Sequence, residues 1–144
     1  MSLYRLLVVA TSIDRSHLAL FAGLRDAGVE VGLLIDPASP RRDAIRDGFP
    51  DIGFLPIRHR LDFGAAAELR RLLAACPADI LFAQDNRPLS ISMMATRGSS
   101  TRVIGYRGTT GHLSRWDPAA WLTYLRTLHR SAGESYPRSK APAE

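Results

Sequence analysis

The chain contains a single cysteine, Cys76, and a single lysine, Lys140, among its 144 residues. One thiol excludes an intrachain disulfide and makes a reducing compartment the default. No apolar run approaches the ~20 residues that span a bilayer. The opening MSLYRLLVVATSID does not read as a secretory leader, because its short apolar stretch runs into Thr11, Ser12 and Asp14 rather than a small-residue cleavage site. A cytoplasmic location is therefore expected. The first strand-to-helix turn, ATSIDRSH, has no glycine. That absence excludes the dinucleotide fingerprint, even though Asp36 mimics its ribose-binding acid, and no GxxxxGK[ST] loop is present either. Phospho-receiver chemistry needs paired acids after the first strand and a lysine after the fifth; the chain offers Asp14 and Arg107 at those places. The histidines, His17, His59, His112 and His129, fall in separate segments without ligand spacing. Neither a metal nor a bound cofactor is expected.

What is abundant is arginine. Of 19 basic residues all but Lys140 are Arg, and the net charge is +5. The guanidinium groups are dispersed (Arg41, Arg42, Arg46, Arg58, Arg60, Arg70, Arg71, Arg126, Arg130) and lack the interleaved aromatics of a base-stacking surface. A solvated basic surface is expected, not a nucleic-acid site, with attraction to anionic lipid headgroups as the intermediate case. An apolar content of 46% against 23% charged is that of an ordinary globular domain.

Strand and helix patterns alternate five times. Leu3 to Ala10 reads as a strand buried on both faces. Leu18, Phe21, Ala22 and Leu24 recur at helical spacing, and Gly28 follows as a helix-ending glycine. Val29 to Ile35 is the second strand, closed by Asp36-Pro37. A short polar helix runs from Ser39-Pro40 through Arg46. Ile52 to Ile57 is a third strand, with Pro56 pointing to an edge position. Asp62 caps a helix over 63–75, and Cys76, just before the helix-ending Pro77, is expected to be a small core residue. Ile80 to Ala83 is the fourth strand, Pro88 opens a helix through Thr96, and Arg102 to Tyr106 is the fifth strand. This rhythm predicts right-handed crossovers and an α/β, doubly wound, Rossmann-like parallel sheet. Flavodoxin-like and Rossmann-like strand orders both remain open. A single domain over 1–131 is expected to end in a helix from Asp117, with 132–144 as an unstructured tail.

Ligands of open α/β sheets bind beyond the carboxyl ends of the strands. Thr11, Ser12, Asp14, Arg15 and His17 follow the first strand, Asp36 the second, and Arg58, His59 and Arg60 the third. Gln84, Asp85, Asn86 and Arg87 follow the fourth; Arg107, Gly108, Thr109, Thr110, Gly111 and His112 follow the fifth. Helix capping accounts for Asp14, Ser39, Asp62 and Asp117. For Gln84 to Arg87 a capped loop and a ligand site are equally open. YRGTTGHLSRWDP is the strongest local signal, with glycines that allow close backbone approach and donors suited to hydroxyls or phosphates.

The segment YRGTTGHLSRWDPAAWLTYL, together with DILFAQDNRPLS before it, resembles the N-terminal domain of family-4-like glycosyltransferases of the GT-B architecture. The resemblance covers about residues 3–125. It implies an acceptor-binding domain that faces a second, donor-binding domain, and retaining transfer from a nucleotide-sugar without bound metal. The implied partners are a sugar or lipid-linked glycan acceptor, a separately encoded donor-binding domain and the cytoplasmic membrane face. His112 would be the active-site contact, with Arg107, Gly108, Thr109 and Thr110 beside it. Thr11, Ser12, Asp14, Gln84, Asp85 and Asn86 would line the acceptor side. The sequence ends before the donor half, so the chain alone is expected to be inactive. Two alternatives stand beside this: a stand-alone sugar- or nucleotide-binding module, and an interaction protein docking through Trp116, Trp121 and Tyr124.

Overall fold

The structure, a computed structural model, describes residues 4–106. The helix expected from Asp117, the Trp116/Trp121/Tyr124 face, the domain end at 131 and the tail over 132–144 all lie outside the described residues. Within them the elements alternate: β1 (Arg5–Ala10), α1 (Arg15–Asp26), β2 (Glu30–Ile35), α2 (Arg42–Gly48), β3 (Gly53–Phe54), α3 (Phe63–Ala75), β4 (Ile80–Ala83), α4 (Asn86–Ala95) and β5 (Arg102–Gly105). All strand pairs are parallel, in the order β3-β2-β1-β4-β5. That is the Rossmann-like order, and it resolves the alternative left open by sequence.

The apolar run in β1 is explained by its central place. Val8 and Val9 point to opposite faces and both are fully buried. Leu6, Val8 and Ala10 pack with Phe21 of α1 and Ile45 of α2, whereas Val9 packs with Leu69 of α3 and Ile91 of α4. Helices therefore cover both faces, as double winding requires.

Local chemistry sets the helix ends. Asp14 caps α1 by accepting from the His17 amide. At its other end Gly28 adopts φ 93°, the Gly28 amide donates to Arg25 O and the Val29 amide to Leu24 O. This pair of bonds is the Schellman motif, and it needs the left-handed residue that glycine supplies. Asp62 caps α3 through the Ala65 amide at 3.0 Å. Gly105 lies where a Cβ would come within 3.0 Å of the Leu89 methyls, so its bare backbone lets β5 approach α4.

Four local expectations change. The third strand shrinks to Gly53–Phe54, because β2 offers only Leu34 and Ile35 as partners and Pro56 has no amide to donate. Leu55 and Ile57 beyond it are nonetheless buried. Helix α2 starts at Arg42 rather than after Ser39; the Ser39 hydroxyl caps nothing, and the Ser39 amide closes a turn onto Asp36 O. Helix α4 begins two residues before Pro88, which occupies the first turn where its missing N–H costs nothing. Cys76 is exposed, since it stands past the last turn of α3.

Two outcomes follow. Leu69→Ala, at a fully buried site between α3 and the sheet, is expected to lower the unfolding free energy by about 2–5 kcal/mol in denaturant titration. The amides of Ala65 and Arg58 hold the Asp62 carboxyl below its ordinary value of 3.8. A depressed folded-state value contributes stability that is complete above the unfolded value and is lost as pH falls through the folded one. Asp62→Ala is thus expected to lower the melting midpoint at neutral pH, and its gap from the unaltered protein to close as pH is taken below 3.8.

Candidate functional site

The strand order locates the site. From β1 the chain steps outward through β2 to β3, then crosses back to place β4 on the other side of β1. The connections leaving β1 and β4 diverge, and the crevice beyond their carboxyl ends is the topological switch point. Helices α1 and α4 both begin there, so two sets of first-turn amides face the same region.

The residues at this crevice are polar and tied together. The Thr11 hydroxyl, past β1, donates to Asp85 Oδ2, past β4, at 2.5 Å. The other oxygen of Asp85 accepts from the Arg87 amide at 3.0 Å and caps α4. Between them, the Gln84 backbone amide donates to Val9 O, extending the sheet by one bond. The Gln84 side chain is only 9% exposed, and its Oε1 has no hydrogen-bond partner among the described residues. A buried acceptor left unmade costs about 1–3 kcal/mol. Ser39 and Ser92 carry the same defect in a hydroxyl, but Ser39 follows β2 and Ser92 lies within α4. Gln84 alone of the three stands at the switch point.

Alternation along β4 places Gln84 on the face of Phe82, the α1 side of the sheet. On that side Asp14 Oδ1 accepts from both the backbone amide and the Nδ1 of His17, each at 2.8 Å. The His17 amide and then the His17 side chain hold the Asp14 carboxyl below the usual carboxylate range. A carboxylate only accepts, so Nδ1 carries the hydrogen and Nε2 is left to exchange a proton or accept one from a hydroxyl. The His17 ring meets Tyr106 edge-on at 4.6 Å, and Tyr106 stacks with Phe82 at 6.2 Å. Tyr106 is 39% exposed and gives the crevice an aromatic wall just past β5. An amide acceptor, a carboxylate, an oriented imidazole and an aromatic ring suit a ligand that presents hydroxyls on an otherwise apolar ring.

Not all the residues expected from sequence converge here. Thr11, Asp14, Gln84 and Asp85 do. Ser12 is exposed beside Thr11, and Asn86 is the half-buried first residue of α4. Arg107, Gly108, Thr109, Thr110 and His112 lie outside the described residues. The Asp36 carboxylate is taken up by the amides of Ala38 in its own turn and of Ile57 past β3, a role that ties two connections of the fold together. Arg58, His59 and Arg60 follow β3, two strands from β1. His17 is among the residues expected past the first strand and Tyr106 opens the segment YRGTTGHLSRWDP, but the sequence assigns neither to the acceptor side. The spacing Asp14-Arg15-Ser16-His17, a cap and its third helical residue, is the signal for the pairing of the first; nothing local brings the second beside it.

A cleft of about 650 Å³ opens at the opposite edge of the sheet, with Arg70, Asp79, Arg97 and Arg102 in its lining. The carboxyl-terminal ends of α3 and α4 lie at that edge. Their partial negative charge and Asp79 offset the guanidinium groups, whose place there is the one expected near helix ends.

No protein-family model matches the sequence, and no curated protein matches it. Among solved structures the chain is similar to the glycotransferase of kitacinnamycin, with a TM-score of 0.51 at 15% identity. The likeness covers 97% of this chain and 43% of the other, so the chain spans less than half the length of that protein. The two share a fold, a Rossmann-type α/β unit. Among the described residues no helix is long and apolar enough to cross a membrane.

Gln84→Met replaces the unsatisfied amide with an apolar side chain of similar shape. The substitution is expected to leave the unfolding free energy unchanged or raise it by up to about 1 kcal/mol. A loss larger than that in chemical denaturation would mean that the amide serves the fold, and would remove Gln84 from the site.

Proposed function

We propose that this chain is the acceptor-binding half of a retaining, nucleotide-sugar-dependent glycosyltransferase. The observation that carries the reading is the buried Oε1 of Gln84, without a partner among the described residues, at the switch point where Thr11 and Asp85 meet and on the side of the sheet that holds the Asp14–His17 pair. Such a group is satisfied by a donor that arrives with a ligand, and sugar hydroxyls are donors of that kind. The fold likeness to a glycosyltransferase supports the class, and a span of 43% of that chain fits one half of a two-domain enzyme. In this reading the acceptor is a sugar or lipid-linked glycan. The nucleotide-sugar binds a second domain outside this sequence, on the same polypeptide or another. The groups that neutralise charge on the departing diphosphate belong to that domain, so this chain alone binds without transferring.

The Asp14–His17 pair favours a second reading of the chemistry. An imidazole oriented through Nδ1 can take the proton of an attacking acceptor hydroxyl at Nε2, which is what a direct, inverting displacement requires.

The test is a titration of the isotopically labelled chain with mono- and oligosaccharides, followed by amide chemical shifts. Shifts are expected at Thr11, Gln84, Asp85 and His17, with Gln84→Met weakening binding about tenfold, the worth of one buried hydrogen bond. Shifts at these residues from a nucleoside diphosphate instead, or none with any sugar, would overturn the acceptor reading. Incubation with nucleotide-sugars and acceptors is expected to give no product from this chain alone.

A further inference from the structure

At the amino-terminal edge of the sheet, away from the switch point, three elements bring guanidinium groups to the cleft of about 650 Å³. Arg70 comes from α3, Arg97 follows α4 and Arg102 opens β5. A helix end accounts for Arg97, which stands just past the last turn of α4. It does not account for Arg70, because α3 has no basic residue in its last turn and the dipole's influence fades within that turn. The adjacent Arg71 shows what an arginine on this helix does when an acid is in reach: its guanidinium holds both oxygens of Glu68, at 2.9 and 2.6 Å. Arg70 and Arg97 make no hydrogen bond or ion pair among the described residues. Asp79 is the carboxylate of the lining, and its Oδ2 already accepts from the Arg5 amide at 2.8 Å.

We propose that this cleft binds a phosphate monoester with a compact apolar body: Arg70 and Arg97 engage the phosphate beside the Ser100 hydroxyl, and Leu73, Pro77 and Ala95 take the body. The guanidinium fork matches paired phosphate oxygens, and the terminal oxygens of a monoester suffice for two forks and a hydroxyl. A carboxylate, with fewer oxygens and a single charge, leaves one guanidinium short of acceptors. Asp79 in the same lining disfavours the added charge of a diphosphate. The volume lies within the ~300–1,000 Å³ of small-molecule sites and exceeds what a bare phosphate fills. The wall is fixed before a ligand arrives, which lowers the cost of binding. The Thr101 hydroxyl donates to Ala78 O at 2.9 Å, the Arg102 amide donates to Asp79 O at 3.0 Å, and Gly98 turns the chain between them and α4 at φ 77°.

This site lies across the sheet from the acceptor crevice and stands or falls separately from it. The isotopically labelled full chain is titrated with phenyl phosphate, inorganic phosphate and benzoate, and amide shifts are followed. Phenyl phosphate is expected to shift Ala74, Gly98 and Ser100 and to bind about tenfold more tightly than either other anion. Its binding is expected to weaken as pH falls below about 6, where a monoester loses its second charge. Arg70→Gln and Arg97→Gln are each expected to weaken binding about tenfold, the worth of a charge-assisted hydrogen bond. Arg71→Gln removes the same charge one position away and is expected to leave binding unaltered. All three side chains are exposed, and an unchanged circular dichroism spectrum confirms that each variant is folded. An equal loss from Arg71→Gln is the mark of diffuse attraction to a basic surface and overturns the proposal. So do benzoate binding as tight as that of phenyl phosphate, shifts confined to Thr11, Gln84 and Asp85, and an absence of shifts.

Discussion

Everything described here depends on β1 being paired on both sides and covered on both faces. Its backbone bonds to β2 along one edge and to β4 along the other, and Val8 and Val9 are closed to water on opposite faces. Past Arg5, whose guanidinium reaches Glu30 at the open end of the strand, the enclosed stretch from Leu6 to Ala10 holds no polar side chain, because none would find a partner. Polar chemistry is therefore pushed past Ala10, into Thr11 to His17. The same holds for β4, where Leu81 and Ala83 are buried and the polar residues begin at Gln84. Two adjacent buried strands thus deliver their first polar residues to one place. The crevice is a consequence of the sheet's interior as much as of its loops.

This explains what was legible in the sequence. The element rhythm, the buried first strand, the caps Asp14 and Asp62 and the left-handed Gly28 are local or nearly so, and each was readable from a few neighbouring residues. The edge position of β3 followed from Pro56. Strand order was not readable, since it depends on which side of β1 the fourth strand returns to, a question decided by packing of α3 and α4. The length of β3 depended on how much of β2 was left to pair with, and Cys76 on where α3 stopped. Ser39 had the right chemistry for a cap, but the Asp36 turn placed the helix start three residues later.

The site was legible in outline and not in composition. Nothing in the sequence separated Gln84, whose Oε1 has no partner among the described residues, from Asp36, each of whose carboxylate oxygens accepts from a backbone amide. His17 and Tyr106 lie 89 positions apart in the sequence, and only the pairing of β4 with β5 on one side of α1 brings their rings together.

The carboxylate of Asp85 serves two structures at once. One oxygen holds the first turn of α4, and the other holds the Thr11 hydroxyl across the strand switch. A ligand hydroxyl that displaces Thr11 draws on the same charge that closes the end of the helix. Under the proposed function, occupancy of the crevice would be coupled to the firmness of α4, and linkage would make that coupling equal in both directions. Because α4 packs through Ile91 and Ala95 into the cluster that includes Leu69 of α3, filling the crevice would be felt as a change in rigidity on the far layer of the molecule.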